Sequence, residues 1–327
     1  MTQPPLRPHD PVSPSSLWAS HLFRRRRTNR FIGAGGARLL ALSVAGLLLT
    51  SPAFAAEPVP APPGQIVLAD VGFVLPSAMR YDAENDRYLV ANVGAGNDND
   101  GFISIVSPDG KLQQLKWIEG GVNGVELNDP KGMVALNGVL YVADLKAIRK
   151  FDLKTGAQLP SIPIEGAVSL ADLAIGVDGA IFVTDRGLQR STEGAVYRVD
   201  PDGKVNQLER GEQLFNPHSI AVDADGTVLT TSGSASYVVA RSPDGPVIGT
   251  LTLDEGRLDG LLILADGTIL VSSWEGRDIT AIDLDGKQKV VLSDVDTPAA
   301  FGFDSKRNLL LVPQIIENEV RIAPLPK

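Results

Sequence analysis

A short phrase of turn and strand recurs along the chain, and it limits the possible folds more than any other feature of the sequence. In each copy, a turn containing glycine or asparagine precedes an alternating apolar run. The turn residues stand at positions 138, 179, 226, 267 and 308, which are 41, 47, 41 and 41 residues apart. Repetition at this period is typical of arrays such as solenoids and propellers.

A second turn phrase lies about half a repeat away from the first. Its glycines stand at positions 110, 156, 203, 245 and 286, spaced by 46, 47, 42 and 41 residues. An Asp-Gly pair between alternating apolar runs is a strong hairpin signal, because glycine accepts a positive φ. Each repeat therefore predicts two hairpin turns and about four short strands.

These strands predict an all-β fold, a six-bladed β-propeller with four-stranded antiparallel blades. The sixth repeat supplies only three strands, at 299–304, 309–314 and 318–324. We expect the missing strand at 65–70, because pairing both chain ends in one blade removes exposed sheet edges. A seven-bladed ring would need a seventh copy of the phrase, and a β-helix would need a shorter spacing.

Charge is distributed unevenly along the sequence. Residues 1–55 contain seven arginines and one acid, whereas the remainder contains 23 basic and 38 acidic residues. Arginines between Arg24 and Arg30 precede an apolar run at 39–49, and Ala53–Ala55 has the pattern of a signal cleavage site. We therefore predict a secretory signal at 1–55, a proline-rich linker at 56–64 and a single propeller domain at 65–327.

The predicted mature protein is expected to be periplasmic or secreted. An uncleaved anchor is the alternative, but the apolar run is shorter than the ~20 residues that span a bilayer, so we expect no stable membrane insertion. The sequence contains no cysteine, which excludes disulfides, thiolate metal sites and a cysteine nucleophile. Its strongly acidic mature part disfavours nucleic acid as a partner, because phosphates require a basic patch.

Each predicted blade begins with a four-residue phrase whose fourth member is always apolar and whose second member varies. When the residue type varies at one position of an otherwise regular repeat, that position is a candidate for a functional site. The alternative is that these side chains only solvate a wet channel. The second members are Ser77, Lys131, Ala171, His218, Asp259 and Ala299.

His218 and Asp259 are the predicted catalytic residues. His218 is the only histidine of the predicted mature chain, and it could act as a general base or a metal ligand. Asp259 could bind a hard cation or act as a base. The alternatives are a structural histidine and an aspartate that serves a turn before Gly260.

Other polar residues are expected around the channel mouth, where a small-molecule ligand or a protein partner would bind. Asp144 and Asp185 each follow a strand and are interpreted as turn caps. The predicted metal ligands are Asp259, His218, Asp172 and Asn128, and the predicted substrate-binding residues are Lys131, Ser77, Trp274 and Glu275.

The phrases Pro217-His218-Ser219-Ile220 and Leu258-Asp259-Gly260-Leu261 resemble those of the senescence-marker-protein/gluconolactonase (regucalcin-like) propellers. The resemblance covers roughly residues 65–324, and its repeat motifs are shared with NHL-type propellers. It implies hydrolysis of sugar lactones with a divalent metal, calcium or zinc. In that family a glutamate, asparagines and an aspartate hold the metal. Asp259 matches the aspartate, whereas His218 stands at an asparagine position and Ser77 at the glutamate position.

Two functions are open at this point. One is a metal-dependent lactonase-like hydrolase, in which the metal would polarise a lactone carbonyl and supply bound water as the nucleophile. The other is a non-catalytic propeller that binds a ligand or a protein on its polar mouth. The metal-dependent hydrolase requires the four predicted metal ligands to converge on one point, because metal–oxygen bonds are ~2.0–2.6 Å long. The non-catalytic propeller does not require it.

Overall fold

The computed structural model of the protein describes residues 64–96, 98–187 and 193–326. The predicted secretory signal, and the predicted linker apart from Gly64, lie outside the described residues. One 3-10 turn, Glu212–Leu214, is the only helical element within the described ranges. No helix in this part of the chain is long and apolar enough to cross a membrane.

The described strands form six sheets of four antiparallel strands, and each sheet is one blade. The strands of blades 1 and 2 are Pro76–Asp82, Arg87–Asn92, Phe102–Val106, Leu112–Glu119, Pro130–Leu136, Val139–Asp144, Ala147–Asp152 and Gln158–Pro163. Those of blades 3 and 4 are Leu170–Ile175, Ile181–Asp185, Gly194–Val199, Val205–Gly211, Pro217–Val222, Val228–Ser232, Tyr237–Arg241 and Val247–Thr252. Those of blades 5 and 6 are Leu258–Ile263, Ile269–Ser273, Asp278–Ile282, Gln288–Leu292, Gly302–Asp304, Leu309–Gln314, Glu319–Pro324 and Ile66–Leu68.

The six blades are arranged in a ring, so the predicted six-bladed β-propeller is confirmed. The first strands of successive blades lie side by side around the axis. Blades 6 and 1 meet through backbone hydrogen bonds from Met79 N to Ala300 O (3.1 Å) and from Ala300 N to Ser77 O (3.2 Å). The first strand of each blade therefore lies next to the axis of the ring.

Blade 6 differs in its strand bounds from the sequence prediction. Its first strand is Gly302–Asp304, shorter than the predicted 299–304. Before it, Ala299 N donates a hydrogen bond to Pro313 O in the second strand of the blade, and Ala300 N donates one to Ser77 O in blade 1. The strand Ile66–Leu68 pairs antiparallel with Glu319–Pro324 and is shorter than the predicted 65–70. The backbone leaves the extended conformation soon afterwards, since Asp70 has a φ of 55°.

The predicted turns form at the repeated glycine positions. In the hairpin between the first two strands of blade 3, Gly179 has a φ of 81°, and Gly203 in the hairpin between the last two strands of that blade has a φ of 88°. Asn308 takes the same position in blade 6 with a φ of 57°, which asparagine tolerates better than most residues. The repeated Asp-Gly and Asn-Gly pairs therefore mark the places where the backbone needs a positive φ.

The apolar core is divided into layers between adjacent blades. Six clusters of buried side chains occur among the described residues, and each joins two neighbouring blades. Between blades 1 and 2, for example, Leu89 packs with Met133 and Phe151. Because burying one such side chain stabilises a fold by about 1.5–3 kcal/mol, each blade depends on both of its neighbours.

Hydroxyl side chains also connect neighbouring blades near the axis. The Thr231 hydroxyl accepts a hydrogen bond from Ser219 N (2.9 Å) in its own blade and donates one to Asp259 O (2.6 Å) in the next blade. Thr184 and Ser272 make equivalent bridges in the preceding and following blades. These bridges fix the backbone that carries the residues around the axis.

Replacing Thr231 by valine should remove this bridge while conserving the shape of the side chain. We expect Thr231→Val to lower the free energy of unfolding by about 1–3 kcal/mol, because a buried N–H and a buried carbonyl each lose a partner. Thr231→Ser keeps the hydroxyl and loses one methyl group, so its loss should be smaller, about 1 kcal/mol. Urea unfolding curves measure both variants, and equal losses would contradict the role given to the hydroxyl.

Candidate functional site

A small cavity of about 40 Å³ lies on the ring axis, at the end where the first strands begin. Such a volume holds about one water molecule or the head of a small ligand. We name it the axial cavity. The second residue of every blade-entry phrase lines it, and its lining residues are Ser77, Lys131, Ala171, Asp172, Arg186, His218, Ser219, Asp259, Ala299, Ala300 and Ile315.

His218 and Asp259 form a pair in the wall of the axial cavity. His218 Nδ1 lies 3.2 Å from Asp259 Oδ2, and the two side chains are 19% and 16% exposed. A carboxylate at this distance favours the tautomer that carries its proton on Nδ1. Nε2 is then the basic nitrogen of the ring, which is the arrangement that a general base requires.

A glycine leaves space for the His218 ring. A Cβ atom on Gly233 would lie 2.5 Å from both Cδ2 and Nε2 of His218. Gly233 directly follows the second strand of blade 4, so any larger residue there would displace the imidazole. The position of His218 therefore depends on a small residue in the neighbouring segment of the same blade.

Asp172 lies in the wall of the cavity but is already fully engaged. It is 1% exposed, and Arg80 Nη2 lies 3.0 Å and 3.3 Å from its two carboxylate oxygens. The Leu173 amide and the Ser219 hydroxyl also donate to the carboxylate. Burial raises the pKa of Asp172, and the charge of Arg80 and these donors act in the opposite direction.

Arg80 is a partly buried structural cation, with a side chain 20% exposed, that sequence reasoning did not identify. It donates to the carbonyl oxygens of Phe301 (2.7 Å), Ala300 (2.8 Å) and Met133 (3.1 Å) as well as to Asp172. It therefore joins blades 6, 2 and 3 to blade 1. A comparison of equivalent positions could have found it, because the corresponding residues in the other blades are Val134, Ala174, Ala221, Leu262 and Gly302.

Two cations also line the cavity, Lys131 from blade 2 and Arg186 from the end of the second strand of blade 3. Lys131 is 8% exposed, and its ammonium group pairs with Asp129 and lies 3.4 Å from Ser169 Oγ. Arg186 Nε donates to the same hydroxyl at 3.3 Å. Burial lowers the pKa of Lys131, opposed by Asp129 and assisted by the charge of Arg186. We name Lys131, Ser169 and Arg186 the cationic wall.

Asn128, a predicted metal ligand, is held in a loop outside the axial cavity. Its side-chain oxygen accepts a hydrogen bond from Asn99 N at 3.1 Å, and its backbone N donates to Asp144 Oδ1 at 3.0 Å. Asp144 also accepts from Asp129 N at 2.6 Å, so it organises the loop that enters blade 2. Asp185 has the same role before blade 3, where it accepts from Ser169 N at 2.9 Å.

Trp274 and Glu275 also lie outside the cavity wall. Trp274 Nε1 donates to Pro298 O at 3.0 Å, and the guanidinium of Arg257 lies 4.9 Å from the indole centroid. Glu275 is exposed and accepts a hydrogen bond from Gly256 N at 3.2 Å. Trp274 therefore stabilises the segment before blade 6, and Glu275 stabilises the segment before blade 5.

Ser77 lines the axial cavity, but its hydroxyl group is directed to the next blade. Ser77 Oγ donates to Pro130 O at 2.7 Å and is buried. It is therefore a link between blades 1 and 2 that also forms part of the cavity wall.

The donor set around the axial cavity does not fit a divalent metal. Within the described residues, no group of three or more His, Asp or Glu side chains is arranged to hold one. His218 and Asp259 face each other, while the carboxylate of Asp172 is bound to Arg80. Calcium needs six or more oxygen ligands and zinc needs three or four ligands. The two cations of the cationic wall would also repel a metal ion.

The structure is a six-bladed propeller with a polar cavity on its axis, and comparison with known proteins gives its family. The sequence profile of the "SMP-30/Gluconolactonase/LRE-like region" matches residues 99–312, so the chain belongs to this family. The resemblance inferred from the blade-entry phrases is thereby confirmed. No curated protein sequence matches the chain.

Several solved structures share the fold at low sequence identity. A gluconolactonase of Xanthomonas campestris has 20% identity and a TM-score of 0.62, over 80% of this chain and 89% of that chain. A luciferin-regenerating enzyme has 14% identity and a TM-score of 0.61, over 80% and 96% of the two chains. The virginiamycin B lyase of Staphylococcus aureus has 12% identity and a TM-score of 0.58, over 79% and 98%. At these identities the likeness concerns the fold alone.

The tautomer of His218 can be measured directly, because it is the only histidine of the predicted mature chain. At a pH where the ring is neutral, its nitrogen chemical shifts should report a proton mainly on Nδ1, since that nitrogen faces Asp259. Asp259→Ala should shift the balance towards the Nε2 tautomer, whereas Asp285→Ala, in an exposed turn of the same blade, should leave it unchanged. A wild-type ring protonated mainly on Nε2 would contradict the pairing.

Proposed function

We propose that the protein is a lactonase-like hydrolase that acts at the axial cavity, with His218 as its general base. Membership of the gluconolactonase family supports this reaction class. The observation that carries the proposal is the His218–Asp259 pair at 3.2 Å in the cavity wall. A base oriented by a carboxylate, next to a space the size of a water molecule, is suited to activating water.

In the proposed reaction, a water molecule attacks the carbonyl carbon of the lactone and His218 Nε2 takes its proton. Asp259 stabilises the resulting imidazolium through Nδ1–H. The negative charge that develops on the carbonyl oxygen is stabilised by Lys131, whose ammonium group lies in the cavity wall. The bond from the carbonyl carbon to the ring oxygen then breaks, and the imidazolium returns the proton to that oxygen. The product is the open-chain hydroxy acid.

No step in this scheme passes through a metal, because the donor set does not fit one. A divalent metal in related lactonases would supply positive charge next to the carbonyl oxygen. In this chain the buried ammonium group of Lys131 is available for that purpose. Burial lowers the pKa of Lys131, and the pairing with Asp129 opposes this effect.

Substitution of the proposed base should abolish most of the activity. Against a panel of sugar lactones followed by pH-stat, we expect His218→Gln to lower kcat by about 100-fold or more, which is typical for loss of a general base. Asp259→Asn should also lower kcat, because the imidazolium loses its counter-charge. The control Asp285→Asn removes an exposed carboxylate from the same blade and should hydrolyse lactones like the wild type.

Treatment with a chelator separates this scheme from metal-dependent hydrolysis. Dialysis against EDTA should leave the rate unchanged. Loss of activity that is restored by calcium or zinc would overturn the scheme. If the wild type hydrolyses no lactone, the alternative is a non-catalytic propeller; in that case His218→Ala and Asp259→Ala should weaken the binding of its ligand or protein partner.

We also infer that the protein is exported to the periplasm or secreted, on the basis of the arginine-rich and apolar segments before Ala55. On expression of the full chain in a bacterial host, the cell fractions should contain a periplasmic or secreted product whose N-terminus is Ala56. Ala55→Arg should block cleavage, because the final position of the site requires a small residue. A full-length wild-type chain that stays in the cytoplasm or the membrane would refute export.

A further inference from the structure

Arg186 presents free hydrogen-bond donors at the axial cavity. Its Nε donates to Ser169 Oγ at 3.3 Å, and its backbone N donates to Ser169 O at 3.1 Å. Among the described residues, the two terminal nitrogens of its guanidinium group have no hydrogen-bond or ion-pair partner. A guanidinium carries five N–H donors in a planar fork, so several remain available to a ligand.

The segment that carries Arg186 is held firmly from both sides. The buried carboxylate of Asp185 accepts hydrogen bonds from Gly187 N and Ser169 N, both at 2.9 Å, and from Val168 N at 3.0 Å. Asp185 is fully buried. This network fixes the backbone of Arg186 against that of Ser169, so the folded backbone determines where the side chains of the cationic wall begin.

The charged residues of the cavity wall form two groups on different blades. Lys131 and Arg186 of blades 2 and 3 meet at Ser169, while His218 and Asp259 pair between blades 4 and 5. Asp129 compensates the charge of Lys131, so Arg186 leaves the cationic wall with an excess of positive charge. A ligand whose anionic group binds at the cationic wall would place its remaining atoms near His218, the proposed base, because both line the same cavity.

We propose that the cationic wall is a carboxylate-binding subsite and that the preferred substrates are lactones that carry a free carboxylate, such as monolactones of aldaric acids. This inference rests on the proposed function for the reaction at the neighbouring pair. A carboxylate matches the planar fork of an arginine better than a neutral hydroxyl group does. Arg186 is the group that binds this carboxylate, because the charge of Lys131 is compensated by Asp129.

Kinetics with two matched lactones test the substrate class. The probes are a neutral aldonolactone and the corresponding aldaric acid monolactone, which differ in one carboxylate. The wild type should have the higher kcat/KM for the anionic lactone. Arg186→Gln should lower the ratio of the two kcat/KM values about tenfold, mainly through KM, because a charge-assisted hydrogen bond contributes at least this factor. Lys154→Gln removes an exposed cation far from the cavity and should leave the ratio unchanged.

Direct binding distinguishes failure of this inference from failure of the proposed function. The open-chain aldarate is titrated by calorimetry into His218→Gln, and into the same protein with Arg186→Gln added. Binding that weakens with salt and falls about tenfold on loss of Arg186 supports the subsite, even if no lactone is hydrolysed. Hydrolysis of neutral lactones together with aldarate binding that is absent, or unaffected by Arg186→Gln, would overturn the subsite and leave the proposed function in place.

Discussion

Burial of apolar side chains between adjacent blades is the constraint on which the rest of the structure depends. A single four-stranded blade has two apolar faces, and each face packs against a different neighbouring blade. The ring satisfies this requirement for every blade at once. Hydroxyl bridges such as that of Thr231 then set the positions of neighbouring blades near the axis.

Closure of the ring brings together residues that are far apart in the chain. The second residue of each blade-entry phrase lies at the same height in its blade, so all six line one cavity. The Arg80–Asp172 ion pair spans blades 1 and 3 beside this cavity and takes one carboxylate out of use for ligands. The His218–Asp259 pair and the cationic wall are then the remaining charged groups around this small space.

The fold and the blade-entry residues of the candidate site could be predicted because they follow from repetition. The glycines at 179 and 203 mark turns that need a positive φ, and the slot that holds His218 and Asp259 is defined by the repeat. Asn128 and Trp274 lie in connecting loops, where local hydrogen bonds to Asp144 and Pro298 decide the direction of each side chain. No periodic pattern describes such bonds, so their positions could not be read from spacing.

The sequence by itself determined the number of blades, the turn positions and the six blade-entry residues that line the axis, because backbone preference and apolar periodicity are local properties. Only the tertiary structure decided which charges meet. Arg80 binds Asp172 across 92 positions of the sequence, and Arg186 reaches the hydroxyl of Ser169 next to Lys131. Pairing of charges depends on distances of a few ångströms between different blades, and these distances exist only once the ring has closed.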